Sequence, residues 1–242
     1  MLRAIQDSLL SVLYPQVCRV CGGTVERSDD GVACGECWAG TRILTGSEML
    51  CMKCGAYLNE SAKSFAVSCH KCDGHSYDKA AAVGIYEKAL AASIIHLKNT
   101  PFVANRLRRG LLTAFQRSGF DDTTRAIAVP LSAKRRVERG YNQAEILAGI
   151  VAKGTGIRLD CQSLSRKLHT PMHRIGMDEK ARELTVRKAF EVTRPKLIEG
   201  QNILLIDDVF TSGATASYCA KVLKKHGAAK VNVLTLARAV LS

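Results

Sequence analysis

Two adjacent carboxylates at the end of an aliphatic run are the side chains of this sequence best placed to bind a ligand. Asp207 and Asp208 directly follow the aliphatic residues 203–206. Such a run predicts a strand buried on both faces, which is typical of a parallel sheet. Because open α/β sheets bind ligands at the carboxyl ends of their strands, we expect both carboxylates to face a ligand. Two vicinal sugar hydroxyls, or a Mg²⁺ ion, would fit that place.

A loop of small residues follows the acidic pair and leads into a helix predicted over residues 214–225. Backbone N–H groups, hydroxyls and a helix N-terminus together bind a phosphate dianion. The predicted phosphate-binding residues are Thr211, Ser212, Gly213, Ala214 and Thr215. Since carboxylates repel phosphate, a ligand with a 5′-phosphate at one end and a ribose diol at the other suits the whole motif. An acidic surface turn before a helix is the alternative.

A basic loop follows another predicted strand, residues 126–130. The residues assigned to this loop are Leu131, Lys134, Arg135 and Arg139. Guanidinium groups bind phosphate oxygens in a bidentate manner, so the loop is expected to bind a pyrophosphate group. A solvated basic turn would have a similar composition and is the alternative.

Eight of the ten cysteines form four Cys-x-x-Cys pairs near the start of the chain. The pairs are Cys18/Cys21, Cys34/Cys37, Cys51/Cys54 and Cys69/Cys72. Two such pairs complete a tetrahedral thiolate site with no open position for chemistry, so we predict two structural zinc ions. Joining successive pairs is the simplest arrangement, and a cross-braced one stays open. Four disulfides would need an oxidising compartment, which makes them the poorer alternative, as is a redox role for one pair.

Charge and pattern divide the chain into two predicted domains. Residues 1–75 carry a net charge of −1 and would form an amphipathic N-terminal helix and the double zinc-binding module, whereas residues 76–242 carry +14. In the second domain strands alternate with helices, which predicts an α/β fold with a mostly parallel sheet and helices on both faces. The predicted strands are 80–86, 126–130, 157–159, 203–206 and 231–237, and the predicted helices are 87–97, 101–117, 141–153 and 214–225. The segment 161–200 is too long for a plain connection and is expected to cover the site as a flap.

Composition also limits the cellular location and the binding partners that we expect for this protein. No run of 18 apolar residues occurs, so no membrane-spanning helix is expected, and free thiols without a signal peptide predict a cytoplasmic protein. The basic surplus, with Arg106, Arg108 and Arg109, suits the phosphates of single-stranded DNA. The near-neutral zinc module favours a protein partner or a packing role instead.

Residues 203–215 resemble the phosphoribosyl-pyrophosphate motif of type I phosphoribosyltransferases, an aliphatic strand followed by Asp-Asp and a Thr-Ser-Gly-x-Thr loop. Residues 139–144, Arg-Gly-Tyr-Asn-Gln-Ala, resemble the ComF family of competence-associated proteins. Members of that family join a cysteine-rich zinc module to a phosphoribosyltransferase domain. The motifs occur here in the family's order and the match covers most of the chain. It departs from the family pattern at His173, where a glutamine is expected, and near Thr185, where an asparagine is expected.

The resemblance implies a type I phosphoribosyltransferase-like fold behind a double zinc ribbon, with phosphoribosyl pyrophosphate bound together with Mg²⁺. Asp207 and Asp208 would be the catalytic carboxylates of a transferase that releases pyrophosphate and moves the phosphoribosyl group to an unidentified acceptor. His169, His173 and Arg174 are candidate groups on the acceptor side. The alternative is a non-catalytic protein of the same fold that handles single-stranded DNA during DNA uptake or senses phosphoribosyl pyrophosphate.

Overall fold

A five-stranded parallel sheet organises the larger part of the molecule. The computed structural model describes residues 16–58, 69, 72–166 and 189–240. The described strands are β1 (Gln16–Val17), β2 (Thr24–Val25), β3 (Lys79–Ile85), β4 (Arg125–Ala128), β5 (Arg158–Asp160), β6 (Leu164–Arg166), β7 (Phe190–Val192), β8 (Asn202–Phe210) and β9 (Lys230–Arg238). The sheet has the order β3-β9-β8-β4-β5, and every neighbouring pair in it is parallel. This confirms the predicted sheet.

Helices cover both faces of this sheet. The described α-helices are α1 (Gly35–Ala39), α2 (Lys88–Leu97), α3 (Asn105–Arg117), α4 (Ala133–Arg139), α5 (Gln143–Thr155) and α6 (Ala214–Lys225). Along β8, Leu204 and Ile206 pack with α2, α3 and α5 on one face, whereas Ile203 and Leu205 pack with α6 on the other. All four side chains are buried, which is why the run is continuously aliphatic. The predicted fold class is confirmed.

Three helix boundaries differ from the sequence-based expectation. Helix α3 begins at Asn105 and not at residue 101, because the Ala104 backbone is still extended at φ −61° and ψ 152°. Helix α5 begins after Asn142 rather than at Tyr141, because the Asn142 side chain accepts a hydrogen bond from the Ala144 N–H at 3.0 Å and so caps the helix. It ends at Gly156, in the left-handed region at φ 77°, and not at Gly154. Gly154 lies inside the helix, where an added Cβ would come within 2.6 Å of a Leu112 methyl group. That glycine therefore allows close helix packing.

Short antiparallel pairs and the zinc module complete the described chain. Strands β1 and β2 pair within the first cysteine cluster, and β6 pairs with β7 on the face that carries α6. The predicted flap is described only where β6 and β7 form this pair, and residues 167–188 lie outside the described residues. The predicted N-terminal helix, residues 1–15, also lies outside them. A boundary between domains at residues 75 and 76 stays a prediction.

Among the described helices, none has the length and apolar character needed to cross a bilayer.

Candidate functional site

The eight clustered cysteines form two groups in sequential order. One group is Cys18, Cys21, Cys34 and Cys37, and the other is Cys51, Cys54, Cys69 and Cys72. Within the groups the sulfur–sulfur distances include 3.7 Å between Cys21 and Cys34 and 3.6 Å between Cys51 and Cys72. Zn–S bonds of about 2.3 Å in a tetrahedron place sulfur atoms about 3.8 Å apart. Both groups therefore fit zinc, and the cross-braced arrangement is not the one observed.

The thiol pKa values show why each group needs a cation. Burial opposes the ionisation of Cys18 and Cys51, yet backbone N–H groups lower the pKa of each to about 6. Burial, reinforced by the neighbouring sulfur atoms, instead raises the pKa of Cys37 and that of Cys72 well above the ordinary value. A bound zinc ion would favour the thiolate form of all four sulfurs of a group.

The first zinc group packs against α3 through charges as well as apolar contacts. Arg106 donates to Asp30 at 2.8 Å and lies 4.9 Å over the Trp38 ring, and Arg109 reaches Asp29 at 3.2 Å. Two of the three α3 arginines expected to suit DNA phosphates are thus paired with acidic residues of the zinc module. The contacts support a packing role for this half of the module.

The crevice for a ligand lies between β4 and β8. Helix α5 follows β4 and packs on one face of the sheet, while α6 follows β8 and packs on the other. Such a change of side opens a crevice at the carboxyl ends of the two strands, where doubly wound sheets bind ligands. Strand β8 is longer than predicted and contains both Asp207 and Asp208, because β9 continues to pair with it as far as Phe210. Strand β4 is paired with β8 only up to Ile206, so the acidic pair borders the crevice.

The two carboxylates have different environments. Asp207 accepts a hydrogen bond from the Asp208 N–H at 2.8 Å, and Asp208 lies 3.8 Å from the ammonium of Lys98. Burial and the adjacent negative charge of Asp208 hold the pKa of Asp207 well above its usual range. A cation or a hydroxyl donor that enters the crevice would interact favourably with these two carboxyl groups.

The raised pKa of Asp207 predicts a stability effect with a definite sign. The folded protein keeps a proton at Asp207 that the unfolded chain has lost, so this group makes stability fall as pH rises above about 4. We expect Asp207→Asn to unfold at a higher temperature than the natural protein, with a larger increase at pH 8 than at pH 5. Thermal unfolding at the two pH values checks this, and an equal gain at both would contradict the assignment.

Lys98 and Arg139 face each other across a cleft next to the acidic pair. The cleft has a volume of about 400 Å³ and is lined by Ile95, Lys98, Asn99, Glu138 and Arg139. Sequence reasoning found Arg139 but missed Lys98, which ends α2 far from the motif in the chain. No local pattern marks Lys98, because only the sheet topology brings the end of α2 to this edge.

The basic loop forms a short helix, α4, where a plain loop had been expected. Lys134 is 64% exposed and lies 3.9 Å from Glu138, and Arg136 pairs with Glu145 at 2.7 Å. The structure therefore brings Arg139 to the cleft but places Lys134 on the surface. Leu131 and Arg135 are partly buried in the same segment.

Buried polar contacts fix this loop against its neighbours. Asn142 is 2% exposed and donates to the Val129 carbonyl at 3.1 Å, which ties the end of β4 to the start of α5. Tyr141 donates to the Leu97 carbonyl at 2.7 Å, which ties the loop to the end of α2. These two residues set the loop's shape.

Arg166 is a second residue near the acidic pair to which sequence reasoning gave no role. Burial and the positive charge of Arg135 lower the pKa of the Arg166 guanidinium, whereas the negative charge of Asp207 raises it. Its guanidinium lies 5.2 Å over the Phe190 ring, so the β6–β7 pair holds it in place. The described part of the predicted flap thus adds a cation to the site.

The small-residue loop has the conformation that its sequence requires. Gly213 has φ +83° and is the N-cap of α6, and Ser212 accepts a hydrogen bond from the Ala214 N–H at 3.4 Å. A Cβ on Gly213 would lie 2.6 Å from the Phe210 ring, so a side chain is excluded for steric as well as backbone reasons. Thr211 and Ser212 are exposed beside the helix N-terminus. The loop can receive an anion there.

The zinc groups and the sheet define a double zinc ribbon joined to an α/β domain, and sequence comparison agrees. A family model described as a double zinc ribbon domain matches residues 9–73. The chain is 27% identical over 232 residues to DNA utilization protein YhgH of Salmonella typhimurium, which covers 93% of this chain and 97% of the relative. It is 29% identical over 231 residues to competence protein F of Haemophilus influenzae, with 92% and 96% covered. Competence protein ComFC of Bacillus subtilis is 33% identical over 117 residues, 46% of this chain and 43% of the relative.

The chain is therefore similar over nearly its whole length to proteins named DNA utilization protein and competence protein F, and the resemblance found in the sequence is confirmed. Among solved structures it is similar to a hypoxanthine phosphoribosyltransferase from Staphylococcus aureus, with 13% identity, a TM-score of 0.34, and 55% of this chain and 61% of that one covered. A phosphoribosylpyrophosphate synthetase from Mycobacterium smegmatis gives 19% identity, a TM-score of 0.32, and 55% and 33% covered. The fold class itself rests on the strand order and helix placement described above.

Proposed function

We propose that this protein binds phosphoribosyl pyrophosphate with Mg²⁺ and transfers its phosphoribosyl group to an acceptor. The observation that carries the proposal is the order of groups along one crevice. Asp207 and Asp208 border it at the end of β8, the phosphate loop Thr211–Thr215 follows directly, and Lys98 and Arg139 line a cleft beside the acidic pair. A ribose diol, its 5′-phosphate and its pyrophosphate would each meet a group of suitable charge.

The residues present fit a magnesium ion. Carboxylate oxygens are the protein ligands that Mg²⁺ prefers, and it usually binds through one or two of them together with substrate phosphates. Asp207 and Asp208 offer such oxygens at the border of the crevice. When bound, the ion would neutralise charge on the pyrophosphate.

The chain's own residues would act by electrostatics. The bond between C1′ and the pyrophosphate oxygen breaks, its electron pair leaves with pyrophosphate, and an acceptor lone pair forms the new bond at C1′. Lys98 and Arg139 would stabilise the charge that develops on pyrophosphate, while the carboxylates steady the positive ribose. The phosphate loop would hold the far end of the sugar so that C1′ stays in line between donor and acceptor.

Titration calorimetry with phosphoribosyl pyrophosphate and Mg²⁺ tests the binding part of this proposal. Binding is expected with Mg²⁺ and should weaken strongly without it; an absence of binding under both conditions would overturn the proposal. A screen of pyrophosphate release with candidate bases and amines then tests the transfer. Binding without release for any acceptor would leave a binding protein in place of an enzyme.

The names of the relatives favour a second candidate, a non-catalytic protein that handles single-stranded DNA. They are called DNA utilization and competence proteins, and residues 76–242 here carry a net charge of +14. Sparse aromatic residues make electrostatics the main source of such binding, so affinity for single strands should fall steeply between low and moderate salt. No binding at low salt would remove this candidate. The zinc thiolates support a cytoplasmic location for either function.

A further inference from the structure

The second zinc group is joined to the segment that follows it through His75. The His75 N–H donates to the Cys72 carbonyl at 3.1 Å, and the Lys53 ammonium donates to the His75 carbonyl at 2.8 Å. Lys53 lies between two cysteines of the same group, Cys51 and Cys54. Both Cys-x-x-Cys pairs of this group therefore hold the His75 backbone.

The His75 side chain lies against the phosphate loop. A Cβ built on Gly213 would be 3.0 Å from His75 Cε1 and 2.6 Å from the Phe210 ring, so the loop backbone rests on these two rings. One residue further along, the Ser76 N–H donates to Ser217 Oγ at 3.0 Å in the first turn of α6. The loop and the helix that follows it are thus seated on the end of the zinc module.

Tyr77 fixes the orientation of His75. Its hydroxyl is 2.7 Å from His75 Nδ1, and its ring packs edge-on against Phe210 with centroids 5.7 Å apart. Tyr77 is 1% exposed, so its hydroxyl proton is best satisfied by donation to Nδ1. That assignment leaves the imidazole proton on Nε2, the ring nitrogen bonded to the same Cε1 that lies beside Gly213.

A second connection joins the same metal group to Phe210. The Arg238 guanidinium lies 4.9 Å over the Phe210 ring, donates to the Cys54 carbonyl and is 3.6 Å from Cys54 Sγ. Strand β9 ends at Arg238, directly beside Phe210 at the end of β8. The metal group, the rings and the loop consequently form one packed unit.

We propose that His75, Tyr77 and Phe210 are positioning residues of the phosphate loop, and that zinc in the Cys51–Cys72 group and a 5′-phosphorylated ligand at Thr211–Thr215 bind with positive linkage. The identity of the ligand rests on the proposed function. Metal binding orders His75, and His75 with Phe210 orders the loop, so each partner stabilises the conformation that the other needs. Linkage of this kind is reciprocal.

Zinc release measures the linkage directly. A zinc-selective chromogenic chelator, with Mg²⁺ in excess, should withdraw zinc from the full-length protein in two phases, one for each group. Phosphoribosyl pyrophosphate is expected to slow one phase about fivefold or more and to leave the other unchanged. Equal rates with and without a ligand that calorimetry shows to be bound would overturn the inference.

Variants separate positioning from folding. We expect His75→Ala to keep two zinc ions and to bind phosphoribosyl pyrophosphate about tenfold more weakly. In this variant the ligand should no longer slow the release of zinc. His75→Asn, which places an amide near the position of Nδ1, should restore part of the affinity and part of the slower zinc release. The matched control is His226→Ala at the other end of α6, where the imidazole forms a hydrogen bond with the Val222 carbonyl of its own helix at 2.9 Å. It should behave like the natural protein.

The outcomes of these measurements are distinguishable. If the natural protein does not bind phosphoribosyl pyrophosphate, the proposed function fails. If it binds and His75→Ala retains both full affinity and full protection of zinc, only the linkage is overturned.

Discussion

The double substitution Asp207→Asn with Asp208→Asn is expected to weaken the binding of phosphoribosyl pyrophosphate and Mg²⁺ by about tenfold or more. Asparagine keeps the size of both side chains but removes the two carboxyl groups that border the crevice between β4 and β8. Without them a Mg²⁺ ion would lack carboxylate ligands from the protein, and ribose hydroxyls would lack their strongest acceptors. Calorimetry at constant Mg²⁺ concentration measures the change, and unchanged affinity would reject the site.

The chain supplies a matched control for this experiment. Asp121 and Asp122 form another adjacent pair, exposed at the opposite end of the same sheet, where Asp122 accepts hydrogen bonds from Asn202 and Lys230. Asp121→Asn with Asp122→Asn makes the same two substitutions and should leave ligand affinity within about twofold, because the pair lies at the amino ends of β8 and β9. Thermal unfolding of both double variants checks that each is folded at the temperature of the binding measurement.

The second large effect concerns the first zinc group and Trp38. Trp38 is the single tryptophan of the chain, is 3% exposed, and donates from its indole nitrogen to the Asp30 carbonyl at 2.9 Å. Cys34→Ser removes a buried ligand of this group, and a ribbon without its metal lacks the free energy that folds it. We expect about one zinc ion to be lost, Trp38 emission to shift to longer wavelength, and the unfolding temperature to fall by about 10 °C or more.

Cys161→Ser is the control for the loss of a thiol. Cys161 is exposed and belongs to neither metal group, so zinc content, emission and stability should stay as they are in the natural protein. An unshifted emission in Cys34→Ser, with one zinc ion lost, would show that the Trp38 environment does not depend on the metal. The packing of Arg106 on Trp38 would then be sufficient to hold that half of the module on α3.

The elements of the α/β domain could be predicted largely because each is specified over a few residues. The strand β9 and the helix α6 fall within a residue of their predicted bounds. The predicted bounds of α5 were wrong where side-chain contacts determine them. The Asn142 side chain caps the helix, which therefore begins later than predicted. Gly154 packs closely on Leu112 inside the helix and does not end it. In β8 the aliphatic run predicted the core of the strand but not its extension through Asp207, which depends on pairing with β9.

By itself the sequence determined the two cysteine groups, the position of the acidic pair and the conformation of the small-residue loop, since each is a local pattern in which spacing alone brings the groups together. Tertiary structure decided which cations meet the acidic pair. Lys98 reaches it from a distant part of the chain, whereas Lys134 and Arg136 pair with glutamates instead. It also decided that α3 arginines hold a zinc ribbon and that His75 supports the phosphate loop. The charge of a side chain determines what it is able to bind, but only the packing of strands and helices determines which partner lies close to it.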